Sequence, residues 1–194
     1  MMAAGSNKHY TRSLYIDLEQ ACWLGHPPEG LDNNIIQIGV AEVDLINLKV
    51  TRTKRYYVRP KKFEISQYCT KLTGITHADI LKQGRPLSEV MNSIQREFGP
   101  KNKMCFAWGD DDEDIQQECL ANSIANPFGN TIIDLGVMFR SSFLMKNRMK
   151  LHHALEFLGL TFEGRAHDAM VDATNTARLH MEMIRLLRGT KVNV

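Results

Sequence analysis

Ser13-Leu14-Tyr15-Ile16-Asp17-Leu18-Glu19 is the stretch from which the rest of the chain is read. Its alternation predicts a strand over residues 13–18. Leu14, Ile16 and Leu18 go to one face, and Tyr15, Asp17 and Glu19 to the other. Two carboxylates at i and i+2 therefore reach one point in space. A carboxylate in a core-forming strand is costly unless it is paired or bound to a metal. Taken alone, the pair also fits an exposed strand face matched by lysines.

A second acidic pattern lies far down the chain, in Gly164-Arg165-Ala166-His167-Asp168-Ala169-Met170-Val171-Asp172-Ala173. Asp172 falls in the first turn of the last long helix, where the helix N-terminus favours a carboxylate. Five helical residues turn by about 140° beyond a full circle. His167 is therefore placed in the loop before that turn. Histidine is the side chain whose ordinary pKa suits proton transfer near neutrality. A third acid is expected from Ala107-Trp108-Gly109-Asp110-Asp111-Asp112-Glu113-Asp114. Which of these acids supplies it is left open at this point.

Between these patterns the chain alternates regular elements. Strands are expected at 35–43 and 50–58, with a reversal at Asn47, giving an antiparallel meander with the first strand. Short helical pieces are expected within 66–83, and an amphipathic helix at 87–98 on the spacing of Leu87, Val90, Met91, Ile94 and Phe98. A fourth strand is expected at 103–107, a helix from about 113 to 121 and a fifth strand at 131–134. Helices follow near 136–146, 149–158 and 170–188. Strands first, then strands alternating with helices, imply a five-stranded mixed α/β sheet covered by helices: three antiparallel strands and two parallel ones. One domain over 11–188 is expected, between a flexible tail at 1–10 and another at 189–194.

Composition narrows the class. With 43% apolar and 24% charged residues and a net charge of +2, the 194-residue chain has the balance of an ordinary globular domain. No apolar stretch approaches the roughly 20 residues that span a bilayer, so no membrane partner is expected. Met1 to His9 lacks the apolar segment of a signal peptide. Cys22, Cys69, Cys105 and Cys119 form no close pair, so reduced thiols of a cytoplasmic protein are expected and a zinc cluster is not. Basic residues gather at Arg52, Lys54, Arg55, Arg59, Lys61 and Lys62, and again at Arg140, Lys146, Arg148 and Lys150. Such clusters suit a phosphate backbone, and the first fits a charged edge strand equally. His152 and His153 are read as surface or packing residues. Leu179, Met183, Ile184 and Leu187 on the last helix face either the core or a second copy of the chain, which leaves a homodimer open.

Converging carboxylates repel one another and raise each other's pKa. Divalent cations relieve this, and hard oxygen donors without thiolates favour magnesium or manganese. Two such ions roughly 3.5–4 Å apart activate a water and stabilise an in-line phosphoryl displacement. His167 is the group placed to take the proton of that water.

In these residues the chain resembles the DEDDh 3′–5′ exonucleases, the DnaQ-like branch of the RNase H-like fold. The motifs that carry the resemblance are Asp17-Leu18-Glu19, Trp108-Gly109-Asp110-Asp111-Asp112 and His167 to Asp172, and it extends over about residues 13–187. Tyr57-Val58-Arg59-Pro60-Lys61, Ser66-Gln67-Tyr68-Cys69 and Leu72-Thr73-Gly74-Ile75 are most similar to the histone-mRNA 3′-end exonuclease branch and its bacterial relatives. The resemblance implies an RNase H-like fold and two divalent ions, magnesium or manganese. Asp17 would bridge both ions, Glu19 and Asp172 would serve one, Asp112 the other, and His167 would be the general base. It also implies that Leu18, Gln20, Trp23, Thr73 and Ile75 surround the terminal nucleotide. Gln20 departs from the small residue usual after the first glutamate, which bears on nucleotide contacts at that position. The expected activity is metal-dependent removal of 5′-mononucleotides from the 3′ end of single-stranded nucleic acid, with RNA favoured on the resemblance. The alternatives are a DNA trimming or proofreading nuclease and a non-catalytic nucleic-acid-binding module.

Overall fold

The computed structural model describes residues 10–129 and 132–189. The expected tails, Tyr10 and Gly189 apart, and the first residue of the expected fifth strand lie outside them. Three strands, β1 (Arg12–Gln20), β2 (Ile35–Asp44) and β3 (Lys49–Tyr57), form the antiparallel meander. Asp44 closes its second turn, where Oδ1 accepts the N–H groups of Ile46 at 2.9 Å and Asn47 at 3.0 Å. β4 (Met104–Ala107) pairs parallel with β1, and β5 (Ile132–Asp134) parallel with β4. The resulting order, β3-β2-β1-β4-β5, puts β1 at the centre. That is the five-stranded mixed sheet the sequence leads one to expect.

Both faces of the sheet are covered. Leu14 and Ile16 of β1 pack under α3 (Leu87–Phe98) and α4 (Asp111–Ala121). Val90, Met91, Ile94 and Phe98 form the α3 stripe, each at most 1% exposed. On the other face Tyr15 packs under α5 (Leu135–Ser142), α6 (Leu151–Phe157) and α7 (Ala169–Gly189). Its hydroxyl is satisfied there by His180 Nδ1 at 2.8 Å, as a buried phenol requires. Large apolar side chains buried this way contribute about 1.5–3 kcal/mol each. Leu179 and Met183 face this core, whereas Leu187 is exposed.

At the end of β1, α1 (Gln67–Thr73) and α2 (His77–Gln83) close a smaller cluster over Ala21 and Ile36. Ser66 and Thr76 cap them, and Gly74 ends α1 in the left-handed region at φ 80°. Helix boundaries differ from expectation where the backbone leaves the helix. The helix expected to run to 146 stops at Ser142, just before Leu144 at φ 52°. The next begins at Leu151, because Lys150 is extended. α4 starts at Asp111, two residues earlier than expected.

Gly39 of β2 determines where α7 lands. A Cβ there would strike the backbone of Ala169 and Met170. Gly39 is the register partner of Asp17, and Gln37 that of Glu19. Gln37 Oε1 accepts the Ala169 N–H at 2.8 Å. The two β2 residues beside the strand acids thus dock the start of α7, which carries Asp172 to them.

Candidate active site

Asp17, Glu19 and Asp172 each offer a carboxylate oxygen, and these oxygens all lie within 4.8 Å of one another. Neighbouring helices and strands bury them: Glu19 is only 8% exposed. Burial, and then the charge of Asp172, push the Glu19 carboxyl up to about 8. Burial holds Asp172 up to about 6, against two backbone N–H groups that favour its charge. Asp17 is raised well above its ordinary range by burial first, then by the charges of Asp111, Asp172, Glu19 and Asp168. Such a donor set, all hard oxygen and mutually repelling, fits a divalent cation.

The loop before α7 is fixed by that same carboxylate. Asp172 Oδ2 accepts the N–H of His167 at 2.8 Å and that of Asp168 at 3.2 Å. His167 is held at φ 60°, an unusual conformation for a side chain with a Cβ. Conformations of this kind cost about 1–3 kcal/mol and gather at functional sites. The imidazole is lowered from its ordinary pKa by partial burial, then by the Arg165 and Lys150 charges. It is therefore neutral at neutral pH. Arg55 of β3 ties down the next residue, through Nε to Asp168 Oδ1 at 3.2 Å and an ion pair to Oδ2. Arg165 donates to the carbonyls of Lys71 at 3.2 Å and Leu72 at 3.3 Å, beside Gly74, where a Cβ would meet the Arg165 guanidinium.

These groups border a cavity of about 360 Å³. Its wall includes Asp17, Leu18, Glu19, His167 and Asp172 of the expected site residues. Trp108, just after β4, joins Lys150, Leu151 and His152 at the start of α6 and Phe162 and Ala166 from the segment before α7 to complete it. His152 is therefore a wall residue of the site rather than a bystander.

The acids expected to supply the third ligand differ in their surroundings. Asp111, not Asp112, exerts the largest electrostatic push on Asp17 and also acts on Glu19. Burial followed by Asp114, Asp110 and Asp134 raises Asp111 itself to about 7. The physical reason is helix phase. Ile115 and Cys119 are the buried residues of α4, and Asp111 precedes them at the same four-residue step, so it begins the inward stripe. Asp112 is turned about 100° away. Its charge acts on the Cys105 thiol, and its Oδ1 is buried without a hydrogen-bond partner among the described residues. Asp110 is exposed and ion-paired to Arg148 at 3.3 Å.

Four of the five residues expected around the nucleotide are not in the cavity wall. Thr73 is buried, its hydroxyl donating to Cys69 O at 2.9 Å and accepting from Ile75 N at 3.0 Å. Ile75 packs in the cluster over Ala21 and Ile36, with Trp23 against it. Gln20 ends β1 beyond a register shift after Glu19. Trp23 Nε1 is buried with no acceptor among the described residues.

The raised carboxyls make metal-free stability depend on pH. Unfolded, they titrate near their ordinary values of about 4. Between there and the folded values of about 6 for Asp172, 7 for Asp111 and 8 for Glu19, the native chain holds protons that the unfolded chain has lost. Stability therefore falls as pH rises through this window. In EDTA the melting temperature is expected to drop from pH 5 to pH 8, and Glu19→Gln to flatten the drop. Parallel melting profiles for the two proteins would contradict the raised Glu19.

An exonuclease family model, RNase_T, matches residues 14–180. The chain is 27% identical over 195 residues to 3′–5′ exoribonuclease 1 of Mus musculus, covering 94% of this chain and 56% of that protein. It is 30% identical over 199 residues to the 3′–5′ exonuclease Snipper of Drosophila melanogaster, covering 91% of this chain and 70% of that one. The solved nuclease domain of 3′hExo, a DEDDh family member bound to rAMP, superposes with a TM-score of 0.83 at 25% identity, over 94% of each chain. The chain spans about half the length of the mouse relative.

Proposed function

Because the chain belongs to the exonuclease family, in its DEDDh branch, we propose that it removes nucleotides from the 3′ end of single-stranded RNA and releases 5′-mononucleotides. The observation that carries this is the meeting of Asp17, Glu19 and Asp172 within 4.8 Å beside His167. RNA is favoured over DNA because the mouse relative is an exoribonuclease and the 3′hExo domain is described bound to rAMP.

Two divalent ions, magnesium or manganese, are the proposed cofactors. Asp17 would hold both, Glu19 and Asp172 one, and Asp111 the other. When bound, such ions lower the pKa of a water and neutralise charge on the phosphate. The chain's own residues do the rest. His167, neutral at pH 7, accepts the proton of the attacking water at a ring nitrogen. Asp172 holds the His167 backbone, and Arg55 holds Asp168 beside it. Leu18 and Phe162 give the cavity apolar wall against which a terminal nucleoside can rest.

His167→Ala is expected to slow cleavage by about 10² or more, the usual scale of acid–base help. Its thermal stabilisation by manganese should be retained, since His167 is no ligand. An unchanged rate would remove it as the base. The reading as a whole is tested with matched RNA and DNA oligonucleotides, labelled at the 5′ or the 3′ end, in magnesium or manganese. The expected outcome is early release of label from the 3′ end and a shrinking 5′-labelled ladder, faster on RNA. Strands that are bound but never shortened would favour the non-catalytic reading.

A further inference from the structure

Among the described residues, one cation at the cavity enters no hydrogen bond or ion pair, though its charge acts on His167. That cation is the ammonium of Lys150, which lines the cavity together with Asp17, Glu19 and Asp172. The other cations around the acids are engaged. Arg148 pairs with Asp110 and Asp134, Arg55 with Asp168, and Arg165 with the carbonyls that end α1.

The mounting of Lys150 is fixed even though its side chain is free. The indole N–H of Trp108 donates to the carbonyl of Met149 at 3.2 Å. The Lys150 carbonyl accepts the Ala154 N–H at 3.1 Å. Leu151 follows directly and is only 9% exposed, packed with Ala154 and Leu155 in the core. A four-carbon stem thus projects from a held backbone into a pocket of carboxylates. Cations bound to those carboxylates would satisfy them and leave the ammonium as the free charge on the wall. Lysine binds phosphate as a point charge and needs no fixed approach angle. A cavity of about 360 Å³ lies at the small end of ligand pockets. It has room for one terminal nucleotide, with Lys150 among the residues around it.

We propose that Lys150 contacts the phosphate linking the terminal nucleotide to the rest of the strand, and so holds the scissile group against the carboxylates. The proposal rests on the exonuclease reading of the same site. Lys150 is exposed, so Lys150→Met and Lys150→Arg are expected to fold, and their melting curves check this.

The experiment follows cleavage of a 5′-labelled oligoribonucleotide, and separately binding of a non-hydrolysable oligoribonucleotide analogue with manganese, over a range of salt. Lys150→Met is expected to lower kcat/KM by about 10² and to weaken analogue binding about tenfold. The slope of log affinity against log salt should shrink by about 0.7, the value for one phosphate contact on a single strand. Lys150→Arg should recover most of both losses, and manganese affinity without strand should not change. A neutral methylphosphonate at the last linkage should bind wild type and Lys150→Met equally.

An unchanged KM, kcat and salt slope in Lys150→Met would overturn the contact, as would a methylphosphonate that still distinguishes the two proteins. Weakened manganese affinity would overturn it too, since it would place Lys150 in the metal site's support. Wild type that binds the analogue through Lys150 but cleaves nothing would refute the exonuclease reading and leave the contact standing.

Discussion

Asp17→Asn is expected to abolish cleavage and leave a protein at least as heat-stable as the wild type in the absence of metal. Asp17 sits at the middle of β1, opposite Gly39, with the charges of Asp111, Asp172, Glu19 and Asp168 all acting on it. In the proposed centre it is the ligand common to both ions. Metal-ion catalysis supplies several kcal/mol of transition-state stabilisation, and each 1.36 kcal/mol is tenfold in rate. A loss of at least about 10³ is therefore expected in single-turnover cleavage. The amide keeps the shape of the side chain and removes a charge that burial and four neighbours disfavour. In EDTA at pH 8 the melting temperature should hold or rise. A variant that cleaves within tenfold of wild type would contradict the role given to Asp17, and one that fails to fold would contradict the electrostatic reading of its surroundings.

The second large effect separates two adjacent acids. Asp111→Asn is expected to lower cleavage by about 10² or more and to weaken manganese binding. Asp112→Asn should leave cleavage within a fewfold of wild type. Both residues lie in the first turn of α4, so a general effect of acid loss on the helix would be shared by the two. What differs is direction: Asp111 begins the stripe of Ile115 and Cys119 and acts on Asp17, whereas Asp112 acts on Cys105. The opposite ranking of the two variants in a side-by-side rate measurement would restore Asp112 as the ligand.

That pair also shows how far sequence reading reaches. The strand acids were legible because a two-residue period is local, and β1 carries it through Leu14, Tyr15 and Ile16 into Asp17. Asp172 was legible because a helix start can be recognised from its own few residues. The choice within Asp110, Asp111 and Asp112 needed the phase of α4, and the signal was present in Ile115 and Cys119. The motif Trp108-Gly109-Asp110-Asp111-Asp112 matches the family at Asp112 without regard to that phase. Other features rest on contacts distant in sequence. Gly39 is a glycine because α7 lies on it. Lys150 and His152 reach the cavity only because α6 folds back beside β1 and α7. Thr73 and Ile75 turned inward because the end of α1 needed its own hydrogen bonds and apolar cover.

Manganese binding followed by electron paramagnetic resonance, with a 5′-mononucleotide present, probes the centre with no appeal to substrate identity. The wild-type protein is expected to take up two ions with saturation, and Asp17→Asn to lose that uptake while Lys150→Met keeps it. A folded wild-type protein that binds no manganese at millimolar concentration would contradict a metal centre built on Asp17, Glu19 and Asp172.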